Sequence, residues 1–275
     1  MSMANKPRVL VLRTAGTNCN VETAFAFEQC GADVDQVHLQ ELFAGRVAMK
    51  DYHILALPGG FSYGDDIASG RIFANELRVR LGADVAKFIK DRKLIIGICN
   101  GFQILVKSGI LPGPFAAGSK TIQTATLFNN DSGKFEDRWV HLKVDGKCVW
   151  TKDLPKTIFI PVAHGEGKFI PVNRAVMDGL KKNGQIVFSY VAADGSKPAY
   201  PDNPNGSTED IAGICDPTGR ILGLMPHPER HFLFTQHPFW TRLNVGASRR
   251  VARTGFGDGA KVFQNGIDYV KKHLL

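Results

Sequence analysis

At 275 residues the chain is long enough to bury a sizeable core, as one large α/β domain or two small ones. Its 44% hydrophobic and 22% charged content is that of a soluble globular protein. No apolar run reaches the ~18 residues that cross a bilayer. The start MSMANKPRV lacks the apolar core of a signal peptide, so the expected compartment is the cytoplasm, with no membrane partner. The five cysteines are odd in number and include no C-x-x-C, which indicates neither a disulfide framework nor a zinc site. The net charge of +8 is concentrated late in the chain, where seven basic residues face two acidic ones from Thr241 onward. Such a tail can bind nucleic acid or an acidic protein surface. No aromatic-interleaved motif accompanies it, so nucleic acid is not an expected partner.

In chain order, RVLVL (Arg8–Leu12) reads as a buried strand, followed by a helix from about Val21 to Cys30 that ends at Gly31. Val34–Leu39 and HILAL (His53–Leu57) continue the strand pattern, and Phe73, Leu77, Leu81, Val85 and Phe88 recur at helical spacing. LIIGI (Leu94–Ile98) is the next strand, with a helix opening at Phe102–Lys107. Strands alternating with helices predict a mostly parallel sheet with helices on both faces. The second half carries strand-like runs at Trp139–Val144, Thr157–Val162, Gln185–Val191, Ile211–Cys215 and Ile221–Met225. These predict antiparallel strands that extend the sheet. DGSKPAYPDNPNGSTED between them reads as a surface loop, and the residues after Asp258 as a closing helix. The expected organisation is a single domain over residues 1–275 with a basic extension from about 236.

Gly97-Ile98-Cys99-Asn100-Gly101 has the G-x-nucleophile-x-G form between a strand and a helix, the context of a nucleophile elbow. The glycines permit a tight turn, and a helix N-terminus favours an anion there. Cys19, Cys30, Cys148 and Cys215 lack that context and are expected to be structural. A thiol nucleophile needs a base, and the base needs an orienting group. His227 and Glu229 in MPHPER, stiffened by Pro226 and Pro228, supply such a pair. In an extended chain i and i+2 share a side, so Glu229 can hold one ring nitrogen while the other faces Cys99. His231 and His237 lie nearby without a carboxylate two positions on. His164 and Glu166 in AHGEG reproduce the spacing and are the competing pair. PGGFSYGDD follows strand HILAL, and the N–H groups of Gly59 and Gly60 could line an oxyanion pocket with that of Asn100. GPFAAGSKT fails as a phosphate loop because Ser119 intervenes before the lysine, and neither G-x-G-x-x-G nor H-E-x-x-H occurs. The residues therefore indicate a thiol nucleophile without an ATP, dinucleotide or metal site.

GICNGFQIL, LPGGFSYGDD, PVAHGEGKF, PNGS before IAGI, and GLMPHPER together resemble the class I (triad) glutamine amidotransferases. More narrowly, they resemble the family of glutaminase subunits of phosphoribosylformylglycinamidine synthases. The resemblance implies a flavodoxin-like α/β fold and glutamine as substrate. It implies Cys99 attacking the glutamine amide to give a thioester, with His227 as general base and acid and Glu229 orienting it. Gly60 and Asn100 would form the oxyanion hole and Gln103 would hold glutamine. Ammonia would pass to a large synthetase subunit that uses ATP and Mg, beside a small accessory subunit, with no cofactor in this chain. The family's usual R-F-P-G-T-N-C-D start appears here as RTAGTNCN, with Thr14, Ala15 and Asn20 altered. The alternative with the same fold is a free-standing cysteine hydrolase.

Overall fold

The structure is a computed structural model that describes residues 6–115, 122–145, 147–243 and 255–275. Its strands are β1 (Arg8–Arg13), β2 (Asp33–His38), β3 (Ile54–Leu57), β4 (Leu94–Ile98), β5 (Ala125–Phe128) and β6 (Glu136–Val144), then β7 (Thr157–His164), β8 (Lys168–Pro171), β9 (Ile186–Val191), β10 (Ile211–Cys215) and β11 (Ile221–Leu224). Its helices are α1 (Asn20–Gln29), α2 (Leu39–Phe43), α3 (Arg71–Arg80), α4 (Gly82–Lys90), α5 (Asn100–Lys107), α6 (Arg174–Lys182), α7 (Trp240–Leu243) and α8 (Ala260–His273).

Nine strands form one sheet in the order β2-β1-β3-β4-β11-β10-β9-β6-β7. The first five are parallel, and each pairing from β11 outward is antiparallel. Every residue of β3, β4 and β11 is buried, as strands covered on both faces require, which explains their unbroken apolar sequences. α1 and α8 pack together, Phe27 meeting Phe263 edge-on at 5.0 Å, while α5 lies against β3, β4 and β11 beside α3. The C-terminal helix thus packs on α1 and on the turn at Val149–Thr151, and its Asn265 side chain donates to the carbonyls of Trp150 and Lys152.

Several elements differ from the sequence reading. The apolar series from Phe73 to Phe88 spans two helices, broken at Leu81 (φ −117°) just before Gly82, a poor helix former. β5, β8 and α6 were not legible as elements. β5 and β8 pair only with each other, and α6 is capped by Asn173, whose side chain accepts from the Val176 N–H at 3.0 Å. The segment expected to be a surface loop is partly interior: Asn205 and Ser207 are buried because Asn205 donates to the Tyr190 hydroxyl at 3.1 Å. The basic residues Arg249, Arg250 and Arg253, and residues 116–121 of GPFAAGSKT, lie outside the described residues.

Four parallel strands stand side by side in the order β1, β3, β4, β11, so the loops after them emerge together at the carboxyl edge of the sheet. Those loops are RTAGTNC, PGGF, the Cys99 turn and MPHPER. β7 is last in the sheet order, yet it curls back to the same place: the His227 N–H donates to the Pro161 carbonyl at 2.8 Å.

Candidate active site

Cys99 sits between β4 and α5 with φ 52° and ψ −106°, a left-handed backbone that costs a non-glycine residue about 1–3 kcal/mol. The turn is over-determined by packing. A Cβ at Gly101 would lie 1.8 Å from the Leu57 carbonyl oxygen, and one at Gly97 would lie 2.5 Å from the Gly101 oxygen. Only glycine fits on either side, which is the physical content of the G-x-C-x-G spacing. The Cys99 N–H donates to Leu224 O at 2.8 Å, fixing the elbow to the strand that leads into MPHPER.

His227 and Glu229 are each 1% exposed, and Nδ1 meets the carboxylate Oε1 at 2.6 Å. They are not in extended chain: Pro228–His231 is a 3-10 turn, which folds the carboxylate back onto the ring. Nε2 is buried and makes no hydrogen bond of ordinary geometry. Burial opposes charging of the imidazole. The Glu229 carboxylate, Cys99 and Cys19 outweigh it and raise His227 well above the ordinary value. The ring is therefore a stronger base than a free imidazole, placed to hold the proton of the neighbouring Cys99 thiol.

The rival histidines are engaged elsewhere. His231 Nδ1 meets Phe159 O at 2.8 Å and stacks edge-on to Trp139 at 4.9 Å, with His237 in the same aromatic cluster. Burial lowers the pKa of both. His164 is held by Asn130 Oδ1 at 3.1 Å and Asn205 Nδ2 at 3.4 Å, and burial pushes it down to about 3. Glu166 does not pair with it. Its carboxylate accepts from the Ser69 N–H and Lys107, and its carbonyl accepts from Gln103 Nε2 at 2.6 Å.

A cavity of about 390 Å³ opens onto the thiol, walled by Gly60, Phe61, Asp65, Gln103, Lys134 and the Ala163–Glu166 loop, among others. The Cys99 thiol donates to the Ala163 carbonyl at 3.5 Å. The Gly59 carbonyl accepts from the N–H groups of Asn18 (3.3 Å) and Cys19 (3.1 Å). In a trans peptide the following N–H points the opposite way, so Gly60 turns its N–H away from that loop. Asn100, first residue of α5, has an N–H without a helical acceptor. Its side chain accepts from Ser62 N–H at 3.3 Å and donates to Gln103 Oε1 at 2.9 Å, tying the two glycine-bearing turns together. The structure thus brings Cys99, Gly60, Asn100, Gln103, His227 and Glu229 to one place.

Sequence reasoning missed Cys19, expected to be structural, and Arg230. Cys19 is 1% exposed, its sulfur accepts from Arg230 Nη2 at 3.0 Å, and a Cβ on Gly59 would touch Cys19 Sγ, Cys99 Cβ and His227 Cε1 together. The signal available was position: Cys19 follows β1, whose loop shares the carboxyl edge with the elbow. Donor atoms of Cys19, His227 and Glu229 lie within 4.8 Å of one another, the set among the described residues that could share a metal ion. Of their atoms, Cys19 Sγ accepts from Arg230, and His227 Nδ1 and Glu229 Oε1 are paired with each other. Asp65, raised by burial, and Glu166 were also not assigned to the pocket by residue chemistry.

The model of the CobB/CobQ-like glutamine amidotransferase domain matches residues 6–270. The chain is 44% identical over 271 residues to phosphoribosylformylglycinamidine synthase subunit PurQ of Dehalococcoides mccartyi, covering 98% of this chain and 99% of that one. It is 41% identical over 281 residues to the PurQ subunit of Archaeoglobus fulgidus, covering 96% and 97%. Among solved structures, PurLQS from Thermotoga maritima aligns with a TM-score of 0.69 and 32% identity over 97% of this chain and 100% of that chain. A further T. maritima glutamine amidotransferase, at 16% identity and TM-score 0.54, shares the fold. The chain belongs to the CobB/CobQ-like glutamine amidotransferases and, among them, to the PurQ subunits of phosphoribosylformylglycinamidine synthase.

Proposed function

We propose that this chain hydrolyses glutamine through Cys99, His227 and Glu229 and delivers the ammonia to a synthetase subunit. That partner converts formylglycinamide ribonucleotide to the amidine, the step of purine biosynthesis to which the relatives' name refers. The observation that carries the reading is the strained elbow facing a buried His–Glu pair 2.6 Å apart. The Cys99 sulfur attacks the side-chain carbonyl carbon of glutamine. His227 takes the thiol proton and returns it to the departing amine, giving a thioester and ammonia. Water, deprotonated by His227, then cleaves the thioester to glutamate. Glu229 holds the tautomer and stabilises the imidazolium. The N–H groups of Gly60 and Asn100 meet the developing oxyanion, each donor of this kind contributing about 3–4 kcal/mol to the barrier reduction.

The cavity suits a small zwitterion. Asp65 and Glu166 offer counter-charge to the α-ammonium group and Lys134 to the α-carboxylate, with Gln103 closing the wall. Nothing in this chemistry calls on a cofactor in this chain; ATP and Mg belong to the synthetase, and a small accessory subunit completes the assembly. The test is Cys99→Ala in the chain assembled with its synthetase. Glutamine-dependent amidine formation is abolished while ammonium-dependent formation survives. Glutamine-dependent turnover in that variant would overturn the reading, and full glutaminase activity of the isolated chain would point to a free-standing hydrolase.

A further inference from the structure

The buried Cys19 thiol and the half-buried Arg230 guanidinium are a pair that this mechanism leaves unused. The Cys19 thiol donates to Asn18 Oδ1 at 3.2 Å and accepts from Arg230 Nη2 at 3.0 Å. Arg230 forms no ion pair with a carboxylate among the described residues, so the sulfur is the side-chain partner that fixes its guanidinium. Arg230 directly follows Glu229, and its N–H donates to the His227 carbonyl at 3.2 Å, so holding its head group also holds the turn that presents the catalytic pair. The backbone of the same cysteine acts on the other half of the site, since its N–H and that of Asn18 grip the Gly59 carbonyl. Its carbonyl accepts from Thr23 Oγ1 at 2.7 Å, anchoring it to α1.

From these contacts we infer that Cys19 is a positioning residue of the glutaminase site: it registers the His227–Glu229 turn, through Arg230, against the Gly59–Gly60 peptide that presents the oxyanion donor. The inference rests on the glutaminase reading above and adds a residue to it. The packing leaves little freedom for any other occupant, because Gly59 lies close to Cys19, Cys99 and His227 at once. The groups facing His227 are Glu229 from its own turn, Cys99 from the elbow, Cys19 from the β1 loop and His164 from β7; Arg230 faces Cys19 and Glu229. Of the thiols, Cys19 is the one that adds to the imidazolium's stability without reacting.

The experiment uses the full chain assembled with its synthetase. It compares steady-state glutamine turnover and the pH dependence of Cys99 labelling by an electrophilic glutamine analogue, the labelled cysteine being identified by mass spectrometry. Cys19→Ala is expected to lower kcat about tenfold with KM within about twofold, the signature of misplaced reacting groups. The alkaline limb of the labelling profile should move to lower pH, because the imidazolium has lost a stabilising neighbour. Cys19→Ser keeps a donor for Asn18 and an acceptor for Arg230, and should restore most of both quantities. Cys30→Ala, another buried thiol at the end of α1, should lower stability and leave the limb in place. Should Cys19→Ala fold poorly, Arg230→Ala breaks the same contact from the other side and must move the limb in the same direction. A limb and kcat unchanged in Cys19→Ala, or equally changed in Cys30→Ala, overturns the proposal. Turnover persisting in Cys99→Ala would instead remove the glutaminase reading itself, so the two failures are distinguishable.

Discussion

His164-Gly165-Glu166 and His227-Pro228-Glu229 share one spacing, both lie at the end of a strand or just past it, and both histidines are buried, yet their pKa values move in opposite directions. At 227 the 3-10 turn brings carboxylate to ring at 2.6 Å, and the imidazole is raised well above its ordinary pKa. At 164 the strand continues to the histidine itself, and two neutral amides take the ring nitrogens. Burial then goes uncompensated and the pKa falls to about 3. Glu166 leaves on the other side of the chain toward Ser69 and Lys107. What separates the two histidines is the backbone between histidine and glutamate, with the amides that wait at the site, and not the identity of the pair.

The largest expected difference lies in turnover. His227→Asn should lower kcat for glutamine by about 10³–10⁴-fold, since no group remains to move the proton. Glu229→Gln should cost about 10²–10⁴-fold by releasing the ring. His164→Asn should act mainly on KM, within about tenfold, because His164 underpins the loop that walls the cavity. Steady-state glutaminase kinetics of the assembled complex measure all three. A kcat loss in His164→Asn as deep as that of His227→Asn would break the comparison.

The second difference is one of sign in pH dependence. His227 titrates higher in the folded chain than when unfolded. Its contribution to stability is therefore complete below the ordinary imidazole pKa and disappears as pH rises through the folded value. His164 titrates lower, so its contribution is complete above about pH 6.5 and is lost as pH falls toward about 3. Between pH 7 and pH 5 that amounts to about 2 kcal/mol of acid sensitivity. Urea unfolding at the two pH values should show it in the native chain and not in His164→Asn. An equal acid sensitivity in the variant would mean the ring is not held neutral by its surroundings.

These contrasts also show where the sequence was readable. The parallel strands could be seen because burial on both faces forces unbroken apolar runs such as LIIGI, and the elbow because Gly97 and Gly101 have no room for a Cβ. The antiparallel strands were visible too, but not the return of β7 to the His227 backbone, which depends on twist accumulated over the intervening strands. β5, β8 and α6 escaped because they are short and half exposed. Cys19 escaped for a different reason: nothing in GTNC is unusual until the sheet order places β1 beside β3. Asn205 was hidden in a stretch dense with turn residues, where its burial under Tyr190 and His164 is a long-range fact.

The smallest expected effect sharpens the comparison at its glutamates. In Glu166→Gln the backbone carbonyl that accepts from Gln103 stays in place, so the cavity wall keeps its shape. The lost charge should be felt by Lys107, 3.4 Å away and itself lowered by burial, and by the α-ammonium group that the proposed glutamine site sets beside Glu166. Asp65 remains close enough to raise Lys107 in part, which limits the damage. KM should therefore rise about two- to fivefold, roughly 0.4–1 kcal/mol, with kcat unchanged. The matching change at 229 should lower kcat and spare KM, since Glu229 is buried against the ring and does not line the cavity. If Glu166→Gln instead lowered kcat with KM constant, the 166 carboxylate would have to act on the reacting atoms, and the division between the two His-x-Glu segments would fail.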